Sequence, residues 1–202
     1  MKFPKLLLIS VSLLFGQAAL ADTITYTATL TGSAENPSTP SLGTGTAVVT
    51  IDDVANTMEV VVDFTGLTAN TIASHIHCCV APPGNVGVAT TVPTFTNFPL
   101  GATFGHYDHV FDLTSASSYN PAFVTAEGGT VGDAEAALLA GLAAGQAYLN
   151  IHTTAFPTGE IRGVLTTPEP SSLMLSGLGV LGLAVLCRGR RLKSSTGTAG
   201  SA

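Results

Sequence analysis

From Thr23 to Thr31 every second residue is a threonine, and the residues between them are mostly apolar. Neighbouring side chains of a β-strand point to opposite faces, so this alternation predicts a strand with one buried and one solvent-facing side. A period of two does not suit a helix, and the fold is therefore restricted to one built on sheets. We expect the apolar set to face the core: Ile24, Tyr26, Ala28 and Leu30.

The same alternation returns further along the chain. Apolar residues at 47, 49 and 51 and at 58, 60, 62 and 64 flank a turn-like segment, so residues 46–64 are predicted to form a hairpin. Further strands are predicted at 71–78, 107–113, 147–154 and 160–166. Short strands joined by Gly- and Pro-rich turns are typical of a β-sandwich or barrel, so the predicted fold class is mainly β.

Two segments depart from this pattern. Residues 133–144 are rich in alanine and leucine, begin with acidic side chains and end before Gly145, which predicts one short structural helix. Leu138 and Leu142 lie one helical turn apart and are expected to face the core. Residues 81–105 are rich in Pro, Gly and Thr and predict a long surface loop, a kind of segment that often carries function.

The first 21 residues have the pattern of a secretory signal peptide. Lys2 and Lys5 form a basic start, residues 6–15 are apolar, and Ala19 and Ala21 place small residues where a signal peptidase reads the chain. The apolar run is shorter than the roughly 20 residues of a membrane-spanning helix. We therefore expect cleavage after Ala21 and export, with an uncleaved anchor as the alternative.

A second addressing segment is predicted at residues 168–193. Pro168, Glu169 and Pro170 precede an apolar segment at 173–186, and a basic cluster follows: Arg188, Arg190, Arg191 and Lys193. The apolar part predicts a short transmembrane helix, and the basic cluster is expected to stay cytoplasmic by the positive-inside rule.

This order of motif, helix and arginines resembles the PEP-CTERM sorting signal of Gram-negative bacteria. The resemblance implies recognition by an exosortase, cleavage near Pro168-Glu169-Pro170, transient residence in the inner membrane, and delivery to the cell surface or extracellular matrix. The polar tail at 194–202 departs from the pattern, which usually stops soon after the arginines. A plain C-terminal membrane anchor is the alternative.

Removing both predicted addresses leaves residues 22–167, the length of one domain. This part contains twelve acidic residues and one basic residue, Arg162, so its net charge is −11. Nucleic acids are excluded as partners, because neutralising their phosphates requires lysine and arginine. Strong acidity keeps an exported protein soluble and attracts cations.

Cys78 and Cys79 are adjacent, and the predicted domain has no third cysteine with which either could pair. In an oxidising compartment they can form a vicinal disulfide, pair between chains, ligate a metal or remain free thiols. The adjacency of the two cysteines does not determine which of these states they adopt.

Three histidines are spaced so that they can meet. His75 and His77 are two residues apart in a predicted strand and therefore share a face, and His152 lies on a later predicted strand. In a hairpin closed by the turn at 156–159, His152 would share a face with Glu160 and Arg162. The three imidazoles form a candidate site for copper or zinc. The alternative is a structural polar network in which Arg162 pairs with Glu160.

Other polar residues carry weaker signals. His106 and His109 are three apart, so they face opposite sides of a strand and are read as surface or loop-edge residues. Asp52 and Asp53 are read as a solvated turn, with a calcium site as the lesser alternative. The chain contains no Gly-x-Ser-x-Gly elbow, phosphate-binding glycine loop or His-Glu-x-x-His helix, so no catalytic residue is predicted.

A second resemblance covers roughly residues 25–165. The segment Ala73-Ser74-His75-Ile76-His77 and a later motif, which runs from Tyr148 to Gly163, resemble the CHRD domain, first described in chordin. The resemblance implies an immunoglobulin-like β-barrel with limited similarity to Cu,Zn superoxide dismutases. Chordin binds secreted growth factors, and that role does not transfer to a chain of this kind on resemblance alone.

These observations lead to three hypotheses. The first is an exported, non-catalytic binding or extracellular-matrix module, with exopolysaccharide as a candidate partner. The second is a metalloprotein that binds copper or zinc through His75, His77 and His152. The third is a purely fold-stabilising network of the three histidines with Glu160 and Arg162.

Overall fold

The computed structural model describes residues 23–168. Seven strands form one antiparallel sheet: β1 Thr23–Thr31, β2 Thr44–Asp52, β3 Thr57–Thr65, β4 Thr71–His77, β5 Gly105–Asp112, β6 Tyr148–Thr153 and β7 Ile161–Val164. Their order across the sheet is β4-β6-β7-β1-β2-β3-β5, and the sheet curls into a half-barrel. The mainly-β class is confirmed, and every predicted strand is present with ends that differ by one or two residues.

Several predictions made from the sequence lie outside these residues. They are the signal peptide with its cleavage site at Ala21, the sorting residues Glu169 and Pro170, the transmembrane helix at 173–186 and the polar tail. Within residues 23–168, no helix has the length and apolar character needed to cross a membrane.

The core lies on the concave face of the sheet, where alternate residues of each strand are buried. The largest fully buried side chains include Leu30, Met58, Ile76, Leu149, Ile151 and Ile161. Ile24 shares the face of Tyr26 and Leu30, as predicted, but its side chain is 41% exposed at the start of β1. On its other side β1 pairs with β7 at Thr31 and meets Thr166 at Thr27, and no residue among 23–168 pairs with Ile24 there.

Residues 81–105 form the long surface loop that their composition predicts, since no helix or strand lies between β4 and β5 and most of these residues are exposed or half-buried. Phe95 and Phe98 are buried, and Phe95 stacks on Tyr107 of β5 with ring centroids 5.6 Å apart. The backbone of this segment follows the free edge of β4, where Ala89 N donates to Ile76 O and Phe95 N donates to Ser74 O. The segment therefore covers one edge of the sheet, and its aromatic side chains supply the apolar area that holds it there.

Two helices follow β5, α1 at Pro121–Ala126 and α2 at Val131–Ala143. The Thr130 side chain accepts a hydrogen bond from Asp133 N and caps α2, which confirms the predicted helix with a start two residues earlier. Leu138 and Leu142 are buried, as predicted.

Candidate metal site

β4 and β6 bring three histidines to the face of the sheet opposite the core. His75 and His77 alternate with the buried Ile76 on β4, and Ala73 lies opposite His152 on the neighbouring strand β6. Since residues two apart on a strand share a face, this register places all three imidazoles on one side.

The rings form a compact triangle. The centroid of His75 lies 5.3 Å from that of His152 and 5.9 Å from that of His77, and the His77 and His152 centroids are 6.1 Å apart. One ring nitrogen of each histidine lies within 4.8 Å of the other two. The sequence predicted this set, and the structure brings all three members together.

Backbone carbonyls determine which nitrogen of each ring carries the proton. His75 Nε2 donates to Pro93 O at 2.6 Å, His77 Nδ1 to Val86 O at 2.7 Å, and His152 Nδ1 to Pro157 O at 3.0 Å. A carbonyl oxygen only accepts, so each of these nitrogens must be the protonated one. The opposite nitrogen of each neutral ring therefore carries a free lone pair.

Those opposite nitrogens are buried. His75 Nδ1, His77 Nε2 and His152 Nε2 have no hydrogen-bond partner among residues 23–168. Buried polar atoms are nearly always paired, so three orphaned acceptors in one place require an explanation. A metal ion is one kind of partner that can accept three imidazole lone pairs at once.

The protonation state suits metal binding. Burial lowers the pKa of all three histidines, and it lowers that of His75 to about 4 because desolvation outweighs the hydrogen bond to Pro93. The rings are therefore neutral at physiological pH, which is the form that ligates metals.

Further side chains pack against this triangle. The Tyr148 ring stacks on His77 with centroids 4.8 Å apart, and the Arg162 guanidinium lies 4.7 Å from the Tyr148 centroid. Asn150, directly opposite His75, has a buried side-chain oxygen with no hydrogen-bond partner within the described residues. Its position two residues before His152 in a strand would have identified it from the sequence.

The predicted pairing of Arg162 with Glu160 is wrong. Arg162 Nε lies 3.9 Å from Glu35 Oε2, and the guanidinium donates to Ala34 O, Asn85 Oδ1 and Pro83 O. Burial raises the pKa of the Glu35 carboxyl to about 7, although the charge of Arg162 acts in the opposite direction. Glu35 is far from Arg162 in the chain, and no spacing in the sequence links them.

Glu160 lies just before β7 and belongs to a separate hydrogen-bond network on the face of β6 opposite His152. Its Oε1 accepts from Ser41 Oγ and from Thr68 N at 2.6 Å, and its Oε2 accepts from Thr153 Oγ1 at 2.5 Å. Burial acts to raise the pKa of Glu160, but these hydrogen bonds outweigh it and hold the pKa below its ordinary value. Glu160 is therefore a stably ionised structural group.

The remaining candidates lie apart from the triangle. His106 is exposed and pairs with Asp63 at 2.8 Å, while His109 packs edge-on against the Phe111 ring. Asp52 Oδ1 accepts from Val54 N and Ala55 N and stabilises the β2–β3 turn. Among residues 23–168 the three histidines form the one cluster with metal-ligating spacing, so the structure adds nothing to the calcium alternative.

Cys78 and Cys79 form a disulfide with each other, which is one of the states that the sequence left open. Their sulfurs pack against Gly141 of α2, where a side chain would collide with them. Glycine at this position lets the helix approach the end of β4, directly after His77.

Fold and site together define a class, an antiparallel β-sheet protein with a histidine-lined polar site on one outer face. The CHRD domain matches residues 26–165, and the chain belongs to that family. The PEP-CTERM protein-sorting motif matches residues 166–191, which implies export, recognition by an exosortase and membrane-associated sorting toward the cell surface of a Gram-negative bacterium. No curated protein and no solved structure matches the chain.

Proposed function

We propose that this CHRD-family protein is an exported, surface-sorted binding module whose ligand is a copper or zinc ion held by His75, His77 and His152. One observation supports this proposal above all others. Three buried ring nitrogens carry free lone pairs, the opposite nitrogen of each ring donates to a backbone carbonyl, and one nitrogen of each ring lies within 4.8 Å of the other two rings'. Ligand histidines in metalloproteins are oriented in the same manner by an acceptor at their second nitrogen.

The three imidazole nitrogens determine which metals the site would favour. Three neutral imidazoles suit copper and zinc, whereas calcium and magnesium require oxygen ligands. Zinc–nitrogen distances of about 2.0–2.1 Å in a tetrahedron place the nitrogens about 3.3 Å apart. Since the nitrogens lie within 4.8 Å of one another, binding requires them to close by roughly 1.5 Å or less, a change that small rotations of the rings supply.

The metal proposal names a ligand for the broader role, that of a non-catalytic binding module at the cell surface. Burial of His75 and His77 supports holding an ion rather than turning over a substrate. The net charge of −11 in residues 22–167 favours accumulation of cations near the protein. We also propose that the half-barrel belongs to the immunoglobulin-like or Cu,Zn superoxide dismutase-like Greek-key barrels, and that the delivered protein resides in the extracellular matrix.

Metal analysis of the purified full-length chain tests the metal proposal. After exposure to excess Cu(II) or Zn(II) and removal of loose metal, we expect about one ion per chain. His77→Ala removes one ligand and should lose the ion, whereas His106→Ala, an exposed histidine outside the triangle, should retain it. A wild-type chain that stays metal-free in excess of both metals contradicts the proposal.

The sorting segment is tested separately in the producing cell. Replacing Pro168, Glu169 and Pro170 with alanine should leave the unprocessed chain in the membrane, because an exosortase no longer recognises it. Fractionation and the mass of the protein measure this. Unchanged processing would show that the tail acts as a plain anchor.

A further inference from the structure

A second site lies on the half of the sheet that does not carry the histidine triangle. In the outer face of β1, β2, β3 and β5, four paired residues form one continuous row: Thr29, Thr46, Asp63 and His106. A parallel row two residues along consists of Thr31, Thr44 and Thr65. The two rows present hydroxyl groups, a carboxylate and an imidazole to solvent on one surface.

All members of these rows except Thr31 line a groove with a volume of about 710 Å³. Phe104 forms a wall of the groove, and the backbone of Gly45 and Gly105 lies over the buried Phe64. A Cβ on Gly105 would lie 2.9 Å from the Phe64 ring, so glycine lets the backbone lie flat against it. The volume falls within the roughly 300–1,000 Å³ of pockets that hold small ligands.

Phe104 is the unusual member of this groove. Its side chain is 70% exposed immediately before β5, next to the exposed ion pair of Asp63 and His106. A flat aromatic ring beside paired hydrogen-bonding groups offers two kinds of contact at once: a π-face for aliphatic C–H groups, and donors and acceptors for hydroxyl groups. Threonine likewise presents a methyl and a hydroxyl side by side.

The charged residues of the protein further restrict the class of ligand that this groove can bind. Residues 23–168 contain no lysine, and their single arginine, Arg162, is buried on the other half of the sheet. Among residues 23–168, a polyanion at this surface would meet the Asp63 carboxylate and no exposed lysine or arginine side chain. A pyranose ring, with C–H groups on its faces and hydroxyls at its edge, matches the alternation of apolar and hydrogen-bonding surface.

We propose that the groove between Phe104 and the Thr29–His106 row binds a short stretch of a neutral polysaccharide. Phe104 stacks on a sugar ring, and Asp63 and the threonine hydroxyls bond to its hydroxyl groups. The site does not use the histidine triangle, so it is independent of the proposed metal.

Binding is measured by calorimetry with the full-length chain, purified in a detergent that has no sugar headgroup and kept in a chelator. The probes are cellohexaose, maltohexaose and xylohexaose, with an alginate oligomer as the anionic comparison. We expect at least one neutral hexasaccharide to bind, Phe104→Ala to weaken it at least about tenfold, and Phe104→Trp to retain it. Val110→Ala, which changes an exposed apolar residue of β5 outside the groove, should have no effect.

Three results would overturn the inference. They are the absence of binding to any neutral probe, equal affinity of the alginate oligomer, and unchanged affinity in Phe104→Ala. Light scattering on the same samples identifies a different occupant: if wild type is a dimer and Phe104→Ala a monomer while neither binds sugar, the groove is a contact between two copies of the chain. Because a chelator is present throughout, failure of the metal proposal leaves this test unaffected.

Discussion

Two buried polar clusters lie on opposite faces of β6, where His152 and Thr153 are neighbours, and they differ in how completely their atoms are hydrogen-bonded. In the glutamate network, formed by Glu160 with Ser41, Thr68 and Thr153, both carboxylate oxygens accept hydrogen bonds. In the histidine triangle, formed by His75, His77 and His152, each ring is bonded at one nitrogen and free at the other. The first arrangement is complete as it stands, whereas the second is complete only with a ligand.

This difference in hydrogen bonding distinguishes a stabilising role from a binding role. Polar atoms that are paired within the fold stabilise it, whereas unpaired ones are available to a ligand. Both clusters are polar, and both contain residues that the sequence grouped into one network. Burial alone does not distinguish them, since Glu160 and His75 are both buried. Substitutions in the two clusters should therefore change different measured quantities.

The largest effect on folding is expected from Glu160→Ala. The change leaves Thr68 N and two hydroxyl groups without their charged acceptor, and it should lower the free energy of unfolding by about 3 kcal/mol or more. Urea unfolding of the metal-free chain measures it. Glu160→Gln keeps one acceptor and should cost less, and neither variant should change the metal content. Loss of the metal from a folded Glu160→Gln chain would break the separation of the two clusters.

The histidine triangle should contribute stability mainly through its ion. At a free metal concentration one hundred times the dissociation constant, binding should raise the free energy of unfolding by about 2.7 kcal/mol. His75→Ala should abolish this increase while costing the metal-free chain only about 1 kcal/mol, because Pro93 O loses one donor. Thermal unfolding with and without metal measures both. A variant that loses most of its stability without metal would make the triangle a structural network like that of Glu160.

A third expected effect concerns the pH dependence of the stability of the metal-free chain. The folded pKa of His75 is about 4, below the unfolded value of about 6.5, so the unfolded chain binds more protons between these values. His75 therefore costs the folded state nothing above pH 6.5 and destabilises it progressively as the pH falls toward 4. Wild type should lose stability relative to His75→Ala over this range.

Comparing these two proteins removes the other titrating groups. Glu35, with its pKa raised to about 7, contributes stability that falls as the pH rises from about 4.5, which opposes the histidines. Glu160, with its lowered pKa, loses its contribution in acid. Wild type and His75→Ala share the contributions of Glu35 and Glu160. A difference in stability between the two proteins that does not change with pH would therefore contradict the neutral, buried state of His75.

The sequence predicted the parts of this architecture that depend on periodicity. Alternation located the strands, and the spacing of His75 and His77 placed both rings on one face. What it did not reveal depends on contacts between distant residues. The partner of Arg162 is Glu35, which precedes it by more than half the domain, and the buried aromatic residues that anchor the 81–105 loop have no periodic pattern. The segment itself was expected to carry function, and it supplies two carbonyls to the triangle.

Because of those two carbonyls, copying the three histidines alone onto another protein would not reproduce the triangle. Pro93 O bonds Nε2 of His75 and leaves Nδ1 free, whereas Val86 O bonds Nδ1 of His77 and leaves Nε2 free, so the free nitrogens are not equivalent atoms. A designer who copied the three histidines onto another pair of strands would reproduce the Cα positions but leave each imidazole free to choose its tautomer. The smallest portable unit is thus the two strands together with the segment that follows the edge of β4 and the turn at Pro157. Changes in that segment alone would alter which ring nitrogens of His75 and His77 are free while the sheet stays the same.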